Sequence, residues 1–179
     1  MKSILIISLL LLATSVMLGG IISCSSSTSS ASGPHEINNV VPPEIGKPAP
    51  NFTVTSLSGK TVNLSDFSGD MVLVDFWSVG CDQCNMERDL FEAVHEEYPD
   101  IQIMMVDSKD DIGIVKRFVR SYNFSPSVYM DKEMTAAGAF DVNLIPETFL
   151  INKTGIIEYI QDGAFCDQLQ LENALKLLQ

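Results

Sequence analysis

The run Met71-Val-Leu-Val-Asp-Phe-Trp-Ser-Val-Gly-Cys-Asp-Gln-Cys84 restricts the fold more than any other stretch of the chain. Met71 to Trp77 is a continuous β-prone segment whose one charge is Asp75. It is bounded by Ser68-Gly69-Asp70 before it and by Gly80 after it, the length and flanks of a buried strand. Beyond the cysteines, Met86, Leu90, Phe91, Val94 and Tyr98 fall at helical spacing, and Glu87, Arg88, Glu92, His95 and Glu96 fill the other face. The cysteine pair therefore stands at a strand-to-helix junction. There the unsatisfied N–H groups and the positive end of the helix dipole favour an anion, so Cys81 is expected to ionise below the ordinary thiol range and act as the nucleophile. Cys84, one helical turn on, is the expected resolving thiol. The competing use of C-x-x-C is half of a zinc site, which needs about four ligands. The remaining candidates, Cys24, Cys166, His35 and His95, are scattered without ligand spacing, so no metal is expected and the redox-active disulfide itself stands in for a cofactor.

The segment Val74-Asp-Phe-Trp-Ser-x-x-Cys-x-x-Cys84 resembles the active-site segment of thioredoxins. A second resemblance lies upstream. Gly46-Lys-Pro-Ala-Pro-Asn-Phe52, followed by Gly59-Lys-Thr-Val-Asn-Leu-Ser-Asp-Phe67, is a pattern shared by peroxiredoxins and by the membrane-tethered thioredoxin-like proteins of the TlpA and ResA type. Downstream, Thr148-Phe-Leu-Ile-Asn-Lys-Thr-Gly155 is similar to a third family segment, the strand that follows the family's cis-proline; Pro146 is placed there by resemblance, packed beside the dithiol. The fold these imply is α/β and thioredoxin-like, three layers with a central mixed sheet flanked by helices, an N-terminal β-hairpin, and a TlpA-type insertion from Asp107 to Phe140. By resemblance also, Asp75 matches the buried carboxylate under the dithiol. In an apolar strand its pKa should rise into a range suited to accepting the Cys84 proton. Trp77, Gly80 and Ile145 are the positions expected to meet substrate.

The chain divides before this domain begins. Lys2 is followed by an uncharged stretch from Ile4 to Gly20, then by Ile21-Ile22-Ser23-Cys24, which resembles the lipobox of bacterial lipoproteins. Residues 1–23 are thus expected to be a signal peptide, with an uncleaved signal anchor as the alternative, and Cys24 the lipidated residue. Both place the domain outside the cytoplasm, because Lys2 stays inside. Residues 24–43, rich in Ser and Thr, lack the apolar content for a core and are expected to be a tether with a reach of roughly 25 Å. Residues 44–179 form the domain. Cys166 is the remainder of the cysteine count; it is read as a residue at the start of the last helix rather than as a reactive thiol.

The formal charge of −12 makes nucleic acid an unsuitable partner and leaves membrane attachment to the lipid rather than to a basic patch. The partners expected are protein disulfides and a membrane thiol-electron donor, with the chain itself a monomer. Within the order of the chain, Phe52–Leu57 and Thr61–Leu64 form the hairpin and Ile101–Val106 a second strand. Asp110–Tyr122 is a helix, Ser127–Asp131 a strand and Thr135–Phe140 a short helix. A last strand pair meets at Asn152–Gly155 before the C-terminal helix. Between the cysteines, Asp82 opposes the helix dipole at Cys81, which favours a reductant of moderate strength, possible roles including cytochrome c maturation. Two alternatives share the fold: a peroxiredoxin-like thiol peroxidase, for which Ser78 is placed but Val74 and the lack of a suitable arginine are not, and a copper-binding assembly protein, for which neither His35 nor His95 is well placed.

Overall fold

The computed structural model describes residues 42–178, so the leader, Cys24 and all but the last two residues of the tether lie outside the described residues. A hairpin of β1 (Thr53–Ser56) and β2 (Thr61–Asn63) opens the domain, followed by a 3-10 turn at Leu64–Phe67. Then come β3 (Met71–Trp77), α1 (Asp82–Glu97), β4 (Ile101–Asp107), α2 (Ile112–Tyr122), β5 (Ser127–Met130) and α3 (Thr135–Ala139). The chain closes with β6 (Glu147–Ile151), β7 (Ile157–Asp162), α4 (Gln168–Leu175) and a last 3-10 turn at Lys176–Leu178. One seven-stranded sheet results, in the order β2-β1-β5-β4-β3-β6-β7.

The handedness of its crossovers explains where the helices go. β3, β4 and β5 are parallel and step in one direction across the sheet, so two right-handed crossovers place α1 and α2 on the same face. The buried side chains agree. Leu73, Trp77, Ile103, Met105 and Leu150 of the sheet pack with Phe91 and Val94 of α1, Val115 and Phe118 of α2, and Leu171 and Leu175 of α4. The opposite face carries Val72, Val74, Phe76, Met104 and Phe149, covered by α3, Phe140 and the hairpin residues Phe52 and Val54. Both faces of β3 are therefore buried, which is why its sequence is unbroken apolar rather than alternating. β6 runs antiparallel to β3 and brings its N-terminal end beside the C-terminal end of β3.

Two elements depart from the sequence reading. The inward stripe of α1 is Cys84, Glu87, Phe91 and Val94, whereas Met86, expected inside, is 76% exposed. Glu87, expected on the outer face, is fully buried. The reason is that the Cys84 side chain must face the core to bond Cys81, which turns Met86 out while Leu90 still packs against the edge of the core. The second helix starts at Ile112 with Asp111 as its N-cap, leaving Asp110 outside it.

Candidate active site

Strand β3 delivers the chain to the turn Ser78–Cys81, closed by the Cys81 N–H donating to the Ser78 carbonyl at 3.2 Å. Cys81 is the N-cap of α1, and its Sγ accepts the Cys84 N–H at 3.1 Å, so the sulfur occupies the place a serine or aspartate oxygen takes at other helix starts. Cys81 and Cys84 are joined as a disulfide with their Cα atoms 5.3 Å apart. Cys81 is half-buried and Cys84 buried, an arrangement in which the first sulfur alone is open to attack. The Ile145–Pro146 peptide bond is cis, and the Ile145 carbonyl lies 3.9 Å from the Cys81 sulfur. Pro146 itself is buried and Ile145 half-buried.

Asp75 lies on β3 between Leu73 and Trp77, and alternation turns it to the face that α1 covers. It is fully buried. Its Oδ1 accepts the Thr148 hydroxyl at 2.9 Å across the β3–β6 pairing, and Oδ2 is buried with no hydrogen-bond partner. Loss of hydration pushes its pKa up to about 7, against a smaller lowering by Thr148. Glu87 rises from α1 into the same layer. Its Oε2 accepts the Phe165 N–H at 2.9 Å while Oε1 has no partner, and burial, with the Asp75 charge adding to it, pushes it up to about 9. Two carboxyl groups with raised proton affinities therefore lie in the layer packed against the cysteine pair, one able to give and take a proton near pH 7 and the other holding its proton there.

The remaining positions sort by exposure. Gly80 is exposed beside Cys81. Trp77, expected to meet substrate, is 3% exposed, with its ring 5.0 Å from that of Phe118. Cys166 is exposed ahead of α4, its N–H donating to Gln170 at 2.8 Å, and no cysteine among the described residues is a free thiol. Among the described residues no group of three or more His, Cys, Asp or Glu is arranged to hold a metal ion, and no helix is long and apolar enough to cross a membrane. Glu87 and Thr148 are the site residues that sequence reasoning missed. The signal for Glu87 was available as a carboxylate spaced three residues from Cys84, on the face that Cys84 itself must define.

The AhpC/TSA family matches residues 45–160. The thiol-disulfide oxidoreductase ResA of Bacillus anthracis is 34% identical over 130 residues, covering 71% of this chain and 75% of the relative. ResA of Bacillus subtilis (strain 168) is 29% identical over 126 residues, covering 69% of this chain and 70% of the relative. Among solved structures, a putative thiol:disulfide interchange protein DsbE from Chlorobium tepidum superposes with a TM-score of 0.71 at 25% identity, over 76% of this chain and 99% of the other. StoA from Bacillus subtilis shares the fold, with a TM-score of 0.61 at 21% identity over 73% of this chain and 98% of the other.

Proposed function

Because the chain belongs to the AhpC/TSA family, and within it to the ResA-like thiol-disulfide oxidoreductases, we propose that it works outside the cytoplasm as a reductant of protein disulfides. The observation that carries this reading is the Cys81–Cys84 pair at the N-cap of α1, with Asp75 and Glu87 buried in the layer packed against it.

In this reading the reduced protein begins with Cys81 as a thiolate, stabilised by the Cys84 N–H and the helix dipole. The thiolate attacks one sulfur of a substrate disulfide. The substrate S–S bond breaks, a Cys81–substrate S–S bond forms, and the departing substrate sulfur takes a proton. Cys84 then loses its proton to Asp75, and its thiolate attacks the Cys81 sulfur, releasing the second substrate thiol and forming the Cys81–Cys84 bond. Two electrons pass from the protein to the substrate. The end point is the disulfide state seen in the structure. Gly80, Ile145 and the backbone beside Pro146 flank the Cys81 sulfur and are the surface on which an extended substrate segment would lie. Exposed Asp82, next to Cys81, opposes its ionisation, which argues for moderate reducing strength over strong oxidation.

Renewal of the dithiol requires a thiol-electron donor in the membrane. Attachment through a lipidated Cys24, with residues 1–23 removed and residues 24–43 as tether, would hold the domain from residue 44 onward near that donor, and cytochrome c maturation is one process such a reductant would serve. The deciding experiment equilibrates the purified protein in dithiothreitol or glutathione buffers and reads its reduction potential. A value around −270 mV is expected of a reductase. A value around −120 mV would overturn the direction and make the protein a disulfide donor.

A further inference from the structure

The loop after β4 makes one contact that its own helix does not need. β3 and β4 are parallel and in register to their ends, Trp77 opposite Asp107, so the turn Ser78–Cys81 and the segment Ser108–Asp111 leave the sheet side by side. From that segment the half-buried Asp110 reaches across, and its Oδ2 accepts the Val79 N–H at 2.7 Å. The carbonyl of Val79 accepts the Asn85 side-chain amide at 3.0 Å. Val79 is thus held from both sides, two positions before Cys81. Asp110 could have capped α2, but Asp111 takes that place. Asp110 is held in its pose by Asp107, whose Oδ1 accepts both the Lys109 and the Asp110 N–H groups at 2.8 Å. Asp107 is fully buried, and burial, with the neighbouring Asp110 carboxyl adding to it, pushes its carboxyl up to about 6.

We propose that Asp110 is a positioning residue for the dithiol chemistry: its carboxylate clamps the turn that presents Cys81 at the N-cap of α1. The inference rests on Cys81 being the attacking thiol. A hydrogen bond from a backbone N–H to a carboxylate is of the strong class. Without it the turn is held on the Asn85 side alone, and the Cys81 sulfur is free to leave the Cys84 N–H that stabilises its thiolate. The negative charge of Asp110 acts in the opposite sense, disfavouring that thiolate through space. Removing the whole side chain and removing only its charge therefore have different consequences.

The test is the rate at which iodoacetamide alkylates Cys81 in the reduced protein, followed against pH for the parent, Asp110→Ala and Asp110→Asn. Asparagine keeps a carbonyl oxygen to accept the Val79 N–H. The clamp predicts that Asp110→Ala slows alkylation at pH 7 by about three- to fivefold, the size of one lost helix-terminus interaction, with the thiol pKa displaced upward, and that Asp110→Asn, which keeps the acceptor and loses the charge, reacts at least as fast as the parent. An unchanged or faster rate in Asp110→Ala overturns the clamp, as does an Asn variant as slow as the Ala variant. A second measurement needs no variant: the Val79 amide in the parent protein should exchange slowly with solvent, and rapid exchange overturns the proposal even if Asp110→Ala fails to fold. Should Cys81 in the parent react no faster than Cys84, the assignment of the attacking thiol fails first, and the clamp falls with it.

Discussion

Two carboxyl groups buried in the layer against one disulfide make the stability of this fold decline as pH rises. Glu87 is pushed from 4.5 to about 9 and Asp75 from 3.8 to about 7, each chiefly by burial, so between these values the folded chain binds protons that the unfolded chain has released. Stability then falls as pH increases, from about pH 4 through 9. Glu87→Gln is expected to flatten the upper part of that slope and to leave the oxidised protein more stable than the parent at pH 9, by on the order of 2 kcal/mol, as read by urea unfolding at pH 5, 7 and 9. The Asp75 carboxyl has a separate signature in turnover. Asp75→Asn should leave alkylation of Cys81 nearly unchanged while slowing disulfide reduction about a hundredfold, the size of a lost general base, with the Cys81–substrate adduct accumulating on a non-reducing gel. An equal loss in both assays would instead mean that Asp75 acts on Cys81.

At the scale of elements, the two faces of the sheet do different work. α1 docks through Phe91, fully buried and edge-on to Phe165, and Phe91→Ala should cost about 3–5 kcal/mol while also disturbing the dithiol that the helix carries. Phe140, after α3 on the other face, packs against Phe52, Phe76 and Phe149. Phe140→Ala should lower stability by a similar amount, about 3–5 kcal/mol in chemical denaturation, with the reduction potential unmoved. The strands were the legible part of these elements, because a segment such as Met71–Trp77, apolar on both faces, has no surface solution. The inner face of α1 was legible at Leu90, Phe91, Val94 and Tyr98, which are buried or packed against the core, but not in its first turns: Met86 is exposed, and a glutamate reads as a surface residue until its partner is known. That partner is the backbone of Phe165, 78 residues away, which local spacing cannot show. Spacing misplaces Asp110 for the same reason, since its bond partner Val79 comes from another strand's turn. The burial of Asp75 and its raised pKa were legible because it is the lone charge within an apolar strand.

For the molecule as a whole, the central strands should open last. β3 is paired along its length by β4 on one side and β6 on the other, and its Leu73–Asp75 amides are expected to exchange slowest, with the outer strands β2 and β7 exchanging first. Hydrogen exchange followed by mass spectrometry checks this order. The formal charge of −12 adds an expectation for substrates: a basic disulfide peptide should be reduced faster than an acidic one of equal length at low ionic strength, and the difference should shrink in salt. The outermost strand also carries the first described residues of the domain. Gly46 donates to Ile157, Ile157 donates to Lys47, and Pro48 bridges Ile156, all at the beginning of β7. β7 runs from that point toward Asp162, opposite Glu147, at the end of the sheet where Pro146 and the cysteines lie. The polypeptide thus joins the domain at one pole and does its chemistry at the other, about 20 Å away by the rise of a strand.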